Sequence, residues 1–498
     1  MLRRSLISIS ILLLLNACVS PVTVQHAGPA PTGLPANVVD MLNAANIPSD
    51  ALGVAVIRVS DGKTILSHQA DASLQPASTM KLLTAIVSLE QLGPTYRGRT
   101  ELRTNAELAG GVLTGDLILR GLGDPDLDGT AFHAMLQTLH NKGIRDIQGD
   151  LVVDRLAFNP PRMDINVPAF DEAPEFRYNV IPDALLLNTN LLQFDFESSD
   201  AALAIRMTPA LERVSFDSKM TLIDRACGQW EDGWKIPATR VADDGSIQIQ
   251  LTGEFPKNCS VSTHLNVLDR ADFADRLFRT QWHDLGGTIR GITRDGATPA
   301  DTRLLAEHQS RTLAEFVRDI NKRSDNPIAR LVYLTLGTLA TDVPPAGFSN
   351  GDTATRSEQE VRAWLKKQGI DDAGLVLENG SGLSRKERIR PRQLAAVLRA
   401  ATRSDWAPEF LSSMPIVGVD GAMKTRLLDS PGAKHARIKT GTLNNTSAVA
   451  GYVTDASRQP CIVVAIINHS VPNGSISPTA KPILDALIDW VSRYGNRP

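Results

Sequence analysis

The stretch 74–94, LQPASTMKLLTAIVSLEQLGP, constrains the fold more than any other part of the sequence. Between Pro76 and Gly93 its apolar residues leave almost no polar face, which predicts a helix buried on nearly all sides. Lys81 lies near the start of that helix. An ammonium group in such surroundings is costly unless it is paired or its pKa falls. The Lys81 amine is therefore expected either to reach solvent or to have a polar partner.

Ser78 lies three residues before Lys81, and residues at that spacing share one face of a helix. One interpretation is an ordinary helix start with a lysine whose amine reaches solvent. The other is a nucleophile beside its base, because a neutral amine can accept the serine proton and a helix N-terminus favours developing negative charge. A second S-x-x-K match, Ser60 to Lys63, spans a predicted hairpin turn and has no buried setting.

A second polar motif, Ser324-Asp325-Asn326, lies at a break in a helical region and is followed by Pro327. Its hydroxyl could relay a proton to a leaving group, and its amide could hold a substrate amide. The alternative is a polar turn between two helices, where such residues are common.

A third motif, Lys439-Thr440-Gly441-Thr442, follows the start of a predicted strand. The lysine would add positive charge, and the two threonines would bind a carboxylate. Gly441 would let a ligand approach the backbone closely. The alternative is a strand end with an exposed lysine.

Composition argues against several classes of function. The 498 residues have a formal net charge of −3 and no basic stripe interleaved with aromatic residues, so nucleic acid is not an expected partner. The sequence has no P-loop, dinucleotide fingerprint or H-E-x-x-H pair, and its nine histidines are scattered. We expect neither a metal nor a cofactor.

The N-terminus is typical of an export signal. Residues 1–18 have a basic start, an apolar run too short to span a bilayer, and small residues before Cys18. LNAC resembles the lipobox of bacterial lipoproteins, which predicts a lipid on Cys18; the alternative is ordinary cleavage nearby. Residues 19–36 predict a flexible linker. We expect a periplasmic protein whose membrane contact, through that lipid, is at the outer membrane.

Cys227 and Cys259 flank a polar segment, and export makes a disulfide between them plausible, with two free thiols as the alternative. Cys461 lies in an apolar run and is predicted to be a small buried side chain.

The chain order predicts a discontinuous domain. Two β-rich runs joined across Asp61-Gly62 predict a hairpin near the front, and three strand-like runs and a helix close the chain. Together, 37–95 and 305–498 would form one antiparallel sheet flanked by helices, an α+β architecture. The turn-rich middle, 96–304, predicts a large, mostly β insertion with two subdomains.

The order S-x-x-K, S-D-N, K-T-G is specific, because each motif alone is common but the ordered set is not. The sequence thereby resembles the serine penicillin-recognising enzymes, which implies a serine β-lactamase/DD-peptidase-like fold. The long separation of Ser78 from Ser324 resembles the class C low-molecular-mass penicillin-binding proteins, the D-alanyl-D-alanine carboxypeptidase/endopeptidase family (peptidase S13-like). Other stretches agree with this resemblance: LILRGLGDPDL (117–127), ENGSGLSR (378–385), SMPIVGVDGAMKTRL (413–427) and IKTGTLNNTSAVAGYV (438–453).

The resemblance implies roles for the motif residues. Ser78 would attack the penultimate D-alanine carbonyl of a peptidoglycan stem peptide, with Lys81 as base, and β-lactams would acylate the same hydroxyl. Ser324 and Lys439 would return a proton to the leaving group. Asn326 would orient the peptide amide.

Substrate-binding residues follow from the same resemblance. Thr440 and Thr442 would hold the terminal carboxylate, and Arg385 would bind another substrate carboxylate. Asp171 would meet the free amine of the stem-peptide diamino acid, with Glu172 as a competing candidate.

The resemblance also implies an oxyanion hole made of the Ser78 and Thr442 backbone N–H groups. Arg330 departs from the pattern, since similar proteins often carry an acidic residue there. Two other functions stay open: a β-lactamase or esterase on the same scaffold, and a non-catalytic cell-wall-binding lipoprotein. The sequence does not decide between carboxypeptidase and endopeptidase activity, or between a monomer and a homodimer.

Overall fold

The computed structural model describes residues 33–339, 352–472 and 474–494. The predicted signal segment, Cys18 and the linker up to residue 32 lie outside the described residues. Within the described ranges, no helix combines the length and apolar character needed to cross a membrane.

The helices follow the capping rules of their sequences. Helix α6 begins after Asp325, whose carboxylate accepts the Ile328 N–H, and α5 begins with a capping box between Thr312 and Glu315. The bounds are Ala36–Ala44 (α1), Lys81–Leu92 (α2), Gly129–Asn141 (α3), Arg270–Asp284 (α4), Leu313–Lys322 (α5), Asn326–Leu336 (α6), Thr353–Lys367 (α7), Pro391–Ala401 (α8), Ala407–Ser413 (α9) and Ser477–Arg493 (α10).

The strands fall into three groups along the chain. The first two are Leu52–Arg58 (β1) and Thr64–His68 (β2). The middle group comprises Arg99–Thr104 (β3), Leu108–Ala109 (β4), Val112–Leu113 (β5), Leu117–Leu122 (β6), Asp146–Ile147 (β7), Leu151–Asp154 (β8), Leu192–Ser198 (β9), Leu203–Thr208 (β10), Val214–Ser218 (β11), Thr221–Ile223 (β12), Trp234–Val241 (β13), Ile247–Pro256 (β14), Ser260–Leu265 (β15), Thr288–Ile289 (β16), Thr293–Asp295 (β17) and Arg303–Gln309 (β18). The last group is Arg437–Leu443 (β19), Thr446–Thr454 (β20) and Pro460–Asn468 (β21).

The first and last groups form one five-stranded antiparallel sheet in the order β19-β20-β21-β1-β2. The predicted sheet, which joins the front hairpin to the three closing strands, is therefore confirmed. Its central strands carry apolar side chains on both faces, because helices cover both. Helices α2, α5, α6 and α8 pack on one face, and α1 and α10 pack on the other. This is the predicted α+β architecture.

The middle group lies between α2 and α5. Strands outnumber helices in this region, and its two α-helices, α3 and α4, pack against each other. Its strands form four sheets, and one continuous apolar cluster runs through residues 102 to 306. The predicted boundary at 304 falls within β18, which pairs with β3 of the middle group. We therefore propose that the inserted region extends to the end of β18. The proposed division of the insertion into two subdomains stays a prediction.

Two of the described cysteines form the predicted disulfide, and the third is a buried free thiol as predicted. A disulfide joins Cys227 to Cys259 inside the inserted region, across a sequence separation of 32 residues. Cys461 is a free, buried thiol in β21, and burial raises its pKa to about 12.

Removal of the disulfide should destabilise the inserted region. The double variant Cys227→Ser/Cys259→Ser is expected to lose on the order of 2–4 kcal/mol of unfolding free energy, because its unfolded chain is no longer cross-linked. Urea unfolding with and without a reductant measures this loss. The wild type should shift on reduction and the double variant should not. Equal midpoints for oxidised and reduced wild type would contradict the prediction.

Candidate active site

Ser78 lies in a tight 3₁₀ turn, Ala77–Met80, that leads directly into α2. The turn is strained at Ala77, which has a φ of 47°, and Thr79 donates its hydroxyl to the Pro76 carbonyl. The sequence predicts Ser78 in the first turn of the helix, whereas the α-helix itself starts at Lys81. Side chains at i and i+3 eclipse in a 3₁₀ turn, so the predicted approach of the two residues is preserved.

Lys81 is completely buried, and its amine has three neighbours. Nζ lies 2.9 Å from Ser78 Oγ, 2.5 Å from Asn326 Oδ1 and 2.5 Å from the Ser381 carbonyl oxygen. Burial, reinforced by the charge of Lys439, holds the pKa of the Lys81 amine well below its usual value. A neutral amine has two N–H bonds and one lone pair. Two donors for the oxygens of Asn326 and Ser381 therefore leave the lone pair for the Ser78 proton.

Lys439 and Ser324 form a second lysine–serine pair. Lys439 Nζ donates to Ser324 Oγ at 2.9 Å and to the Thr440 carbonyl oxygen at 2.8 Å. Burial lowers the pKa of Lys439 to about 7. Ser324 has a φ of 60°, a rare conformation for serine, at the turn between α5 and α6. The turn therefore aims its hydroxyl back toward the strand that carries Lys439.

Asn326 is the first residue of α6 and is held from both sides of its amide. Its Oδ1 accepts from Lys81, and its Nδ2 donates to the Tyr178 carbonyl at 3.0 Å. Ser324, Asn326 and Ser78 line the same cleft. The three predicted motifs thus converge, although their residues lie far apart in the sequence.

Position 441 of the third motif requires glycine for a different physical reason from the one predicted. A Cβ at Gly441 would lie 2.7 Å from the Pro76 carbonyl oxygen and 2.9 Å from the Ser78 nitrogen. Glycine therefore allows β19 to approach the turn that carries the nucleophile, rather than providing space for a ligand. Thr442 lines the cleft, whereas Thr440 does not.

The cleft has a volume of about 280 Å³. Arg385 and Asp171, the two predicted substrate-binding residues outside the third motif, line the cleft, and each already has a hydrogen-bond partner. Arg385 donates to the Phe170 carbonyl at 2.7 Å. Its guanidinium carbon lies 4.8 Å from the centre of the Phe170 ring. Asp171 accepts from Tyr178 Oη at 2.8 Å and from Asn179 Nδ2 at 2.8 Å. Glu172 is exposed and does not line the cleft, whereas Asp171 does.

The sequence does not single out several residues that line the cleft. The cleft is also lined by Gln75, Tyr178, Asn444 and Asn445, which belong to none of the three motifs. Desolvation, together with the hydrogen bond to Asp171, raises the pKa of Tyr178 above its usual range. Because Tyr178 comes from the inserted region, only the folded arrangement reveals it.

A buried carboxylate lies behind the nucleophile. Glu387 is fully buried, and its Oε1 accepts the backbone N–H groups of residues 378, 379 and 380 at 2.8 to 3.2 Å. Burial raises the pKa of Glu387. Its position in SRKER gives no hint of this role in holding the turn that presents Ser381 to Lys81.

Arg330 is buried on α6 and donates to the carbonyl oxygens of residues 179, 180 and 383 at 3.3 to 3.4 Å. Burial lowers the pKa of Arg330 to about 10. Arg330 is one of four charged groups that act on the Lys81 amine. Lys439 and Arg330 are basic, and Asp325 and Glu387 are acidic.

In the described ranges, no group of three or more His, Cys, Asp or Glu side chains is arranged to hold a metal ion.

Comparison with known proteins agrees with this geometry. The chain is 28% identical over 509 residues to a D-alanyl-D-alanine carboxypeptidase of Actinomadura sp. (strain R39), covering 98% of this chain and 90% of that one. It is 27% identical to the D-alanyl-D-alanine carboxypeptidase DacB of Haemophilus influenzae, over 84% of this chain and 85% of the relative. The crystal structure of penicillin binding protein 4 from Haemophilus influenzae superimposes with a TM-score of 0.76 at 23% identity, covering 92% of this chain and all of that one.

That structural likeness extends to nearly the whole described fold, including the inserted region between α2 and α5. At the level of sequence, residues 34–491 match the family described as D-Ala-D-Ala carboxypeptidase 3 (S13). The match spans the sheet, the insertion and all three motifs. The chain therefore belongs to the D-Ala-D-Ala carboxypeptidase 3 (S13) family of serine hydrolases.

Proposed function

We propose that this chain is a serine D-alanyl-D-alanine carboxypeptidase that also cleaves D-alanyl cross-links as a DD-endopeptidase. One observation carries the proposal: the buried Lys81 amine lies 2.9 Å from the Ser78 hydroxyl, with its other two neighbours both acceptors. This arrangement suits a neutral amine that removes a proton and does not suit a structural lysine.

The reaction begins with transfer of the Ser78 proton to the Lys81 amine. Oγ then attacks the carbonyl of the penultimate D-alanine, and the oxyanion accepts the backbone N–H groups of Ser78 and Thr442. The short contact of Gly441 with the Ser78 turn supports that pair of donors, because it brings strand and turn together. Loss of one such donor typically costs on the order of 100-fold or more in rate.

Collapse of the tetrahedral intermediate breaks the peptide C–N bond. The leaving amine takes the proton of the Ser324 hydroxyl, and the charged Lys439, 2.9 Å away, replaces that proton. The proton taken from Ser78 stays on Lys81 until deacylation returns it to Ser78 Oγ, while Lys439 regains a proton from the attacking water. An acyl-enzyme at Ser78 remains, and water later hydrolyses it. A β-lactam follows the same first step through its strained amide, so it acylates Ser78.

Both proposed activities break the same kind of bond and differ only in the leaving amine. A carboxypeptidase releases D-alanine, whose carboxylate would bind Thr442, the threonine of the third motif that lines the cleft. An endopeptidase releases the side-chain amine of a diamino acid from a neighbouring stem peptide. Asp171 would bind a free amine of the diamino acid, and Arg385 would bind a carboxylate, because both line the cleft.

A β-lactamase would need a base that speeds deacylation. Among the described residues that line the cleft, Asp171 is the one carboxylate, and three hydrogen bonds from Tyr178, Asn179 and the Ala173 N–H already engage it. Glu387 does not line the cleft. We therefore expect a penicillin adduct that persists.

We also propose a periplasmic location. The disulfide between Cys227 and Cys259 supports an oxidising compartment. The predicted lipid on Cys18 would tether the protein to the outer membrane, and a mass spectrum of the mature N-terminus tests it directly.

Substitution of Ser78 and of Ser60 tests which of the two S-x-x-K matches contains the nucleophile. Ser78→Ala should abolish covalent labelling by a fluorescent penicillin, and Lys81→Met should slow it by roughly 10²–10⁴-fold through loss of the base. Ser60→Ala is the matched control, because Ser60 starts the other S-x-x-K match in an exposed turn. Labelling is read on a gel, with thermal unfolding to verify folding. Persistent labelling of folded Ser78→Ala would contradict the nucleophile assignment.

The two lysines predict a bell-shaped pH profile of the acylation rate. Lys81 acts only when neutral, so the rate falls on the acid side as pH drops through its lowered pKa. Lys439 assists only when charged, so the rate falls on the alkaline side above its pKa of about 7. Lys439→Arg keeps its charge and should move the alkaline limb to higher pH. An unchanged alkaline limb in that variant would refute the assignment to Lys439.

A further inference from the structure

A short segment of the inserted region, residues 177–180, contacts the second motif and α6. Each residue from 177 to 180 makes a hydrogen bond to the start of α6 or to the residue before it. Arg177 pairs with Asp325, the Tyr178 carbonyl accepts from Asn326, and the carbonyls of 179 and 180 accept from Arg330. Two side chains of the second motif, those of Asp325 and Asn326, are thus held from outside the catalytic sheet.

Among these contacts, that between Arg177 and Asp325 is an ion pair. Its Nη2 lies 2.9 Å and its Nε 3.2 Å from the same carboxylate oxygen of Asp325. The other oxygen of Asp325 accepts the Ile328 N–H at 2.9 Å and so fixes the start of α6. The Asp325 side chain is 9% exposed, whereas that of Arg177 is 43% exposed. A largely buried carboxylate in the middle of the catalytic motif therefore has its counter-ion on the inserted region.

Asp325 separates the two motif residues that contact the lysines. Ser324 before it accepts from Lys439, and Asn326 after it accepts from Lys81. A shift of Asp325 would therefore displace both contacts together. Displacement by about 1 Å in an active site can cost on the order of 100-fold in rate.

We propose that Arg177 is a positioning residue of the acylation reaction, which through its ion pair with Asp325 fixes the Ser324–Asn326 turn and tempers the negative charge that faces Lys81. This inference rests on the proposed function, because it assigns Arg177 to the same acylation step. Arg177 touches neither the nucleophile nor its base. It acts through Asp325.

The charge effect has a defined sign. Of the groups that face the Lys81 amine, Asp325 and Glu387 raise its pKa, and Lys439 and Arg330 lower it. Without Arg177, the Asp325 charge acts unopposed, and the acid limb of the pH profile should move to higher pH. Without the Asp325 charge, the acid limb should move to lower pH. The other three groups are unchanged in both variants.

The test measures the rate constant of acylation by a fluorescent penicillin from pH 5 to pH 9. Arg177→Met should acylate roughly 10- to 100-fold more slowly than wild type at neutral pH. Arg177→Lys should recover part of that loss, because it restores the charge without the two-pronged contact. Arg294→Met is the matched control: Arg294 is 45% exposed and pairs with Asp116 and Asp150, both inside the inserted region.

The opposite pH shifts of Arg177→Met and Asp325→Asn are the decisive readout, since simple loosening of the turn would not produce them. Asparagine can still cap α6, which protects the fold in the second variant. The inference is overturned if Arg177→Met acylates like Arg294→Met, or if the two acid limbs move in the same direction. Should Arg177→Met fail to fold, two other results decide: Arg177→Lys should acylate more slowly with an unmoved acid limb, and Asp325→Asn should move the acid limb to lower pH. Wild-type acylation in Arg177→Lys, or an acid limb at higher pH in Asp325→Asn, overturns the inference. A wild type that penicillin does not acylate would overturn the proposed function instead.

Discussion

Burial of the Lys81 amine against Ser78 is the constraint on which the rest of the structure depends. An ammonium group with no exposed surface and no carboxylate in contact is unfavourable, so the protein stabilises the neutral amine instead. That choice requires an almost entirely apolar α2, a second buried lysine nearby, and acceptors for the two remaining N–H bonds. Each requirement is met by a different segment of the chain. Burial that makes a charged Lys81 unfavourable for stability also keeps its amine neutral, and a neutral amine can act as a base.

The inserted region is part of this arrangement and not an appendage. It provides Tyr178 and Asp171 to the cleft and the counter-ion for Asp325. Without residues 177–180, the start of α6 would lose the hydrogen bonds that this segment makes to Asp325, Asn326 and Arg330. The contacts of residues 177–180 thus link substrate binding, the turn of the second motif and the electrostatics of Lys81 in one region.

Features that are local in sequence could be predicted, and those that depend on tertiary approach could not. The hairpin at Asp61-Gly62, the closing strands and the ordered motifs all follow from periodicity or spacing. The reason for Gly441 did not, because its neighbour is the Ser78 turn, more than 350 positions earlier. Tyr178, Glu387 and the Arg177–Asp325 pair were missed for the same reason. Single charged or aromatic residues carry no periodic signal, and only folding brings them together.

The central claim is that Lys81 is uncharged in the resting protein. Nitrogen NMR of lysine-labelled protein, with Lys81→Met to assign the resonance, measures its protonation directly as a function of pH. We predict that the Lys81 signal is that of a neutral amine at neutral pH, with a titration midpoint well below the ordinary lysine value of 10.5. A Lys81 signal that remains ammonium until that ordinary value would contradict the account.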